Sequence, residues 1–303
     1  MNYKINLRKK LYPLWFLLPF LIMISMFFGF PIILTGVMTF TDFDITYRPS
    51  FVGFKNYQKI AMDPNFFKIL AITFTFTLVA LAIIMLMSIV ISILTQYFVK
   101  RKVARYAYRT IWLSMNALPS IIYAVVIRGV FSPYATSGAN YICLKLGLIA
   151  DPISWLNHFP LVLVIFTTGF LNGANGIIIL SAAINSIPED YYKAARVDGT
   201  TEWGIVTQVI IPLLKWPLMY LTVTNAISLI SSYNYILLLT EGGPNLRTTT
   251  LSLYAYQNAF ENSQFGYGAA ISIFVVTISI ALVLVLFKLF NFDEMIQPCR
   301  IDD

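Results

Sequence analysis

The sequence predicts an all-α integral membrane protein built on six transmembrane helices, and three observations carry that prediction. Hydrophobic residues make up 58% of the chain and charged residues 12%, with a mean hydropathy of +0.74, whereas a soluble globular domain carries about a quarter charged residues. Apolar runs long enough to cross a membrane, which takes about 20 residues, recur along the 303 residues with short charged segments between them. Lys and Arg gather in alternate segments, fourteen on one side of the implied membrane against six on the other, with Arg128 left near the end of a span. The basic excess marks the cytoplasmic side, so the net charge of +7 reflects membrane topology and no nucleic-acid partner is expected.

The first run, Leu11 to Thr41, holds no Asp, Glu, Lys or Arg and follows Lys4, Arg8, Lys9 and Lys10. It is too long for a signal-peptide core and lacks a small-residue cleavage site, so it reads as an uncleaved span over residues 13–40 with the N-terminus inside. Asp42 to Lys68 mixes charges with aromatics, and FVGFKNY at Phe51 to Tyr57 suits an interfacial element with rings at headgroup depth. The second span, residues 69–98, ends at KRKVARYAYR, whose five basic residues mark a cytoplasmic loop. The third, residues 110–131, contains Pro119 and closes near Arg128, whose stem can snorkel outward. Ser132 to Asn157 reads as an irregular outer loop, and the fourth span follows over residues 159–184.

The fifth span, residues 215–240, is announced by Pro212 and Pro217 and closed by the turn-rich TEGGPNLRTTT. In LSLYAYQNAF, Leu251, Tyr254, Ala255 and Asn258 share helical spacing, which predicts an amphipathic surface helix. The sixth span covers residues 265–290, and the tail after it is too short to fold alone, so residues 1–303 form one transmembrane domain with both termini cytoplasmic.

Between the fourth and fifth spans lies the charge-bearing insert SIPEDYYKAARVDGTTEWGIVTQVIIPLLKWP, Ser186 to Pro217. Ser186 and Glu189 stand at capping-box spacing with Pro188 in the first turn, which predicts a helix start with acidic side chains at its positive end. Asp198-Gly199 is a stop, since glycine accepts the left-handed conformation that closes a helix, and Thr200 or Thr201 before Glu202 opens a second helix. The resulting helix-turn-helix carries adjacent alanines, Ala194 and Ala195, that leave a shallow face for another protein.

Ala194, Ala195, Gly199 and Pro212, with Val209 and Ile211 in the apolar places, resemble the coupling motif of binding-protein-dependent ABC import permeases: EAA, three residues, G, then I-x-LP. Lys193 stands where that pattern usually has glutamate, and Glu189 and Asp190 are near enough to substitute. FVGFKNY, LLTEGGP at Leu238 to Pro244, and AFENSQFGYGAA at Ala259 to Ala270 are similar to the carbohydrate-importer branch. Within it they resemble the first of two permease subunits in maltose-type and multiple-sugar systems, without the large periplasmic insert some members have. The resemblance implies a type I importer permease fold in the bacterial cytoplasmic membrane, with coupling over residues 186–212 through Glu189, Tyr192, Lys193, Ala194, Ala195, Asp198, Gly199 and Pro212. It implies as partners a second homologous permease subunit, two ATPase subunits that hold ATP and Mg, and an extracytoplasmic solute-binding protein that delivers a sugar. No cofactor is expected on this chain.

The chain has no G-x-x-x-x-G-K-[ST] loop to cradle phosphates, so it is not expected to be an ATPase or any other enzyme. His158 has no second imidazole to share a metal, and Cys143 and Cys299 fall on opposite sides of the membrane, so they do not pair. Polar residues within spans are the remaining clue, because an unpaired amide in hydrocarbon is expensive and tends to face a cavity or another helix. Asn172 and Asn175 in GFLNGANG form one candidate pathway surface, Asn225, Ser228 and Ser232 a second, with Asn116, Ser120 and Tyr123 beside Pro119, and the family resemblance implies Leu171 with Asn172 and Asn175 as lining positions. Amides with a tyrosine stacking face suit a neutral sugar. For each residue, helix packing through small and polar side chains is the competing reading. In the family resembled, the helices flanking the coupling insert line the sugar cavity. The rival class, an ion-coupled secondary transporter or channel for a small polar solute, needs buried carboxylates or charge pairs for coupling, and none of the six runs has one away from its ends.

Overall fold

A hydrocarbon interior leaves the backbone no partner but itself, so uninterrupted apolar runs become helices. The computed structural model describes residues 7–45 and 49–292, the side chains of residues 7–14 and of 116 excepted. The N-terminal basic side chains, Arg48, Cys299 and Arg300 lie outside that description. Among the described residues the chain is helical, with β pairing confined to the isolated bridges Thr41 to Phe51 and Asp44 to Gln264.

The helices run α1 (residues 7–38), α2 (Lys55–Met62), α3 (Phe66–Phe98), α4 (Lys102–Asn116), α5 (Ser120–Val130), α6 (Gly138–Lys145) and α7 (Pro160–Asn185). They continue as α8 (Glu189–Val197), α9 (Glu202–Leu213), α10 (Lys215–Ser231), α11 (Asn234–Thr240), α12 (Leu251–Tyr256) and α13 (Phe265–Leu289). Four helices, α1, α3, α7 and α13, are individually long and apolar enough to cross a membrane among the described residues. The bent pairs α4–α5 and α9–α10 bring the number to six if each pair is one span.

Two of the expected spans are therefore not single rods. The third breaks before Ser120, and α4 and α5 meet at 90°. Pro119 is the cause: it bars its predecessor from helical geometry and cannot donate to the ladder. The Lys100 to Arg109 segment, expected as a loop, is largely the first half of α4. The fifth expected span enters through a 64° bend between α9 and α10 and breaks again at Ser232, whose extended backbone (φ −80°, ψ 136°) separates α10 from α11.

Over the described residues the chain forms two compact units, one running to Asp63 and including Ala255–Phe274, the other comprising Pro64–Tyr254 and the residues from Val275 on. In the first, the FVGFKNY and FGYG motifs have a structural purpose. Asn56 Nδ2 donates to the carbonyls of Thr39 and Thr41 at 2.8 Å each, and Phe40, Phe54 and Tyr57 form one ring cluster. Gly266 passes so close that a Cβ there would sit 2.1 Å from the Thr41 carbonyl oxygen. Lys59 reaches Gln264 Oε1 at 2.6 Å and lies 4.0 Å over the Tyr267 ring. Asp42 takes the Ser50 hydroxyl and amide at 2.6 Å, hydrogen bonds that hold its carboxyl below the usual range. None of the described side chains of α1, residues 15–38, is buried.

In the second unit α3 and α7 are the axis. Gly169, Gly173 and Gly176 put one bare stripe of α7 against α3, where a Cβ on Gly169 would meet Ile83 at 2.8 Å and one on Gly176 would meet Ser88 Oγ at 2.2 Å. Ser88 and Ser92 then donate across the seam to the carbonyls of Gly173 and Ile177, at 3.0 and 3.1 Å. Small residues allowing close backbones, with hydroxyls bonding across them, are how helices adhere in lipid.

Two loop expectations change. Ser132 to Asn157 is not irregular: α6 forms there, and the fully buried Asn140 donates to the carbonyls of Ser132, Tyr134 and Ile153 and accepts from Ile153 N and Trp155 Nε1. Nor is the Leu251 segment a surface helix, because Leu251, Leu253, Ala255 and Asn258 are all buried. The threonines ahead of it fold inward: Thr249 Oγ1 donates to Gly242 O at 3.0 Å, and Thr73 Oγ1 on α3 accepts from Leu251 N at 2.9 Å. Gly242 is needed at that turn, at φ +86° with a Cβ position 2.5 Å from Thr249 Oγ1.

Candidate functional site

The insert forms the expected helix-turn-helix, with one change at its start. Ser186 does not cap α8; its hydroxyl donates back to Ala183 O at 2.8 Å, finishing α7, and Pro188 holds the cap position of α8 with no side-chain hydrogen bond. Glu189 and Asp190 still occupy the first turn, where the helix dipole favours them. The stop is a complete Schellman closure: Gly199 sits at φ +75°, its N–H reaches Arg196 O at 3.1 Å, and Thr200 N reaches Ala195 O at 3.0 Å. Thr201 then caps α9, its Oγ1 accepting from Gly204 N at 3.1 Å.

What seats this element is apolar. Leu180 and Ile184 of α7, Ile93 of α3, Val206 and Ile210 of α9, Leu214 and Leu221 make one buried cluster, with Ile187 and Tyr192 packed against it. Ala195 is buried too, whereas Ala194 is exposed. Neighbours on a helix point about 100° apart, so the two alanines do not share a face. The outward strip is Tyr191, Ala194 and Val197, one helical turn apart, with Tyr191 54% and Val197 86% exposed, and Trp203 beyond the turn is also exposed. These three large apolar side chains were not singled out in the sequence, although their spacing against the half-buried Tyr192 and the buried Ala195 would have found Tyr191 and Val197.

Aromatic and polar contacts tie α8 and α9 to the end of α3. Tyr97 stacks on Tyr192 with ring centroids 5.7 Å apart, and Phe98 meets Trp203 at 5.9 Å. The Tyr97 hydroxyl bonds the Glu202 carboxylate, which also faces Arg196 Nε at 3.7 Å. Burial pushes the Tyr192 phenol up, so it is neutral at physiological pH. Lys193 bonds Asp190 Oδ1 at 3.1 Å and approaches Glu189 Oε2 at 3.9 Å, all three well exposed, pairs that contribute little to stability. Asp198 and Gly199 lie exposed at the turn. Pro212 is exposed within α9, just after a wide turn at Val206–Ile210 and before the bend into α10.

The pathway candidates divide. Asn175 of α7 meets Asn225 and Ser228 of α10 across an open hollow of about 390 Å³, floored by Ile178, Ile179 and Leu221 and flanked by Tyr220 and Thr224. The two helices that enter and leave the insert thus share one polar hollow. Asn172 does not line it; its amide donates to Thr168 O at 2.8 Å, on its own helix. Leu171 is buried at 8% exposure. The glycines around these residues face α3, so they are not a surface that a ligand could approach. Asn225, which lines the hollow, donates its Nδ2 to Leu221 O at 2.7 Å. Ser232 lies half-buried in the α10–α11 break. Ser120 opens α5, and the Tyr123 hydroxyl bonds Met115 O across the 90° bend; the side chain of Asn116 lies outside the described residues. Among the described residues no three His, Cys, Asp or Glu side chains converge on a metal site.

Comparison with known proteins follows the same lines. A model of the family described as "Binding-protein-dependent transport system inner membrane component" matches residues 88–292. The chain is 28% identical over 292 residues to the arabinooligosaccharides transport system permease protein AraP of Bacillus subtilis, covering 93% of this chain and 89% of that protein. It is also 28% identical over 285 residues to the trehalose/maltose transport system permease protein MalF of Thermococcus litoralis, covering 91% and 92%. A crystal structure of a bacterial alginate ABC transporter in complex with an alginate pentasaccharide-bound periplasmic protein includes a chain of the same fold, with TM-score 0.79 at 23% identity over 92% of this chain and 94% of that one.

Proposed function

Because the chain belongs to the family of inner-membrane components of binding-protein-dependent transport systems, we propose that it is one of two permease subunits forming the membrane pathway of an ATP-driven importer for a sugar or oligosaccharide. Two ATPase subunits supply the hydrolysis, with ATP and Mg held on them, and an extracytoplasmic binding protein delivers the cargo. The chain lies in the cytoplasmic membrane with both termini and the insert inside. The family relatives named for arabinooligosaccharides and for trehalose and maltose support a sugar cargo, as does a hollow offering amide and hydroxyl groups with no Lys, Arg, Asp or Glu among the described residues of its lining.

One observation carries the reading: the helix that presents an exposed Tyr191, Ala194 and Val197 strip is rooted in the same buried cluster as α7 and α10, which line the polar hollow between them. A force applied at the strip has a physical path to the hollow. The insert has a Schellman turn after α8 and a threonine cap on α9, the marks of a rigid element, as a docking knob requires.

Reconstitution into vesicles with its co-purifying subunits tests it. Uptake of labelled oligosaccharide should need ATP and loaded binding protein, and loaded binding protein should raise ATP hydrolysis. Uptake that proceeds without ATP and collapses with an ionophore would show an ion-coupled carrier instead.

A further inference from the structure

A second hollow, of about 260 Å³, opens beside the insert and has no part in the reading above. It is lined by Gln96, Lys102, Arg105, Tyr106, Arg109 and Asn185. Lys102, Arg105 and Arg109 fall three and four residues apart on α4, so their cations stack on one side of the helix. None of the three has an ion-pair partner among the described residues; Arg105 Nε instead holds Val99 O at 2.6 Å, which anchors α4 to the end of α3. The neighbouring hollow, which Arg105 also lines, contains one acidic side chain, Glu189, and that faces Lys193.

The floor is amide. Gln96 is 7% exposed, and Asn185 Nδ2 donates to its Oε1 at 3.0 Å. That leaves the Gln96 NH2 with no hydrogen-bond acceptor among the described residues, in a recess it shares with three cations, Asn185 and Tyr106. That donor and the three cations, none of them in an ion pair among the described residues, all face one hollow, and the ligand that satisfies them together is an anion. Tyr106, 67% exposed, sits at the rim.

We infer that this recess, where the helix-crossing end of α3 meets α4, binds a phosphate-bearing anion, and that the headgroup of an acidic phospholipid is its source. Guanidinium and ammonium groups meet the phosphate oxygens, Gln96 donates from the floor, and Tyr106 lies where acyl chains and headgroups adjoin. Basic recesses between membrane helices have the chemistry for acidic lipid headgroups, and planar guanidinium forks match phosphate oxygens. Given the orientation proposed above, the lipid belongs to the inner leaflet; the site itself does not depend on what the transporter carries.

The test is native mass spectrometry of the full chain in the assembly in which it purifies, stripped of lipid and titrated with phosphatidylglycerol, phosphatidylethanolamine or inorganic phosphate. Phosphatidylglycerol should be retained in preference to phosphatidylethanolamine. Lys102→Gln with Arg109→Gln should weaken phosphatidylglycerol about thirtyfold, roughly fivefold for each cation lost, while Arg105 stays to hold Val99. Lys102→Arg with Arg109→Lys keeps both charges and should bind within a few-fold of the parent. Millimolar inorganic phosphate that displaces the lipid and occupies the recess by itself would keep the site but make a soluble anion its source. Equal retention of phosphatidylglycerol by the charge-removed variant and the parent, or equal affinity for the two lipids, would overturn the assignment.

Discussion

Substituting Gly176 by alanine probes the seam between α3 and α7 more sharply than any surface change. The new Cβ would lie 2.2 Å from Ser88 Oγ and 2.7 Å from Ser88 Cβ, well inside contact distance, and Ser88 is fully buried with its hydroxyl committed to Gly173 O. Forcing a methyl into a packed interior costs about 1–3 kcal/mol. Losing the interhelical hydrogen bond adds about 0.6 kcal/mol, and better helix propensity returns about 1 kcal/mol, so the net is a loss of about 0.6–2.6 kcal/mol. Thermal unfolding of the purified assembly in detergent should show a fall of roughly 1–4 °C. The decisive variant is Gly176→Ala with Ser88→Gly, which moves the methyl to the opposite helix. It should recover most of the loss, a coupling of at least 1 kcal/mol between contacting residues. If the two substitutions simply add, or if Gly176→Ala alone unfolds like the parent, the helices do not approach as described and the placement of Asn175 outside the seam goes with them.

Other consequences can be measured in the same preparations. Gly199 has open space around its Cβ position but φ of +75°, so Gly199→Val should strain the turn by about 1–2 kcal/mol and uncouple ATP hydrolysis from uptake, while Gly199→Asn retains coupling. Thr201→Ala removes a cap worth about 1 kcal/mol and should lower coupling without lowering the yield of assembled protein. Asn175→Ala and Asn225→Ala should each slow sugar uptake by removing a partner worth about 1–3 kcal/mol in the occupied hollow, leaving basal ATP hydrolysis intact; Asn172→Ala should transport normally, and equal defects at all three positions would remove the hollow from the pathway. For topology, a cysteine at Leu148, which is 70% exposed, should react with an impermeant maleimide in intact cells lacking Cys143, and one at Lys102 only after lysis. The opposite pattern inverts the orientation.

The helices were legible because long apolar runs in lipid have little choice of structure, and the turn at Gly199 because a single glycine before threonines has a specific backbone meaning. Breaks were not. Pro119 was visible, but a proline can kink a span or end it, and the 90° outcome depends on what α5 packs against. Ser232 carries no breaker signal at all. The insert was recognisable as a helix-turn-helix, yet the facing of Ala194 and Ala195 follows from which side the aliphatic cluster lies on, a tertiary fact. In GFLNGANG, one helix cannot reveal that its bare glycine stripe is already occupied by Ile83 and Ser88 of another. Asn140 shows the reverse case: a polar residue in an apparently shapeless loop organises five hydrogen bonds around itself, and only the folded loop exposes that role.

The aliphatic cluster beneath α8 makes the insert a stiff crank. Separating seven buried side chains, Ile93, Leu180, Ile184, Val206, Ile210, Leu214 and Leu221, at about 1.5–3 kcal/mol each, would cost on the order of 10 kcal/mol or more, so thermal motion does not let the knob slide over its seat. A displacement at Tyr191 or Val197 must instead turn α7 and α10 together. Asn175 stands ten residues above Asn185 on α7, about 15 Å along the axis, far enough that a few degrees of rotation at the knob changes the width of the hollow by roughly an ångström, about the tolerance that distinguishes a hydrogen bond made from one lost.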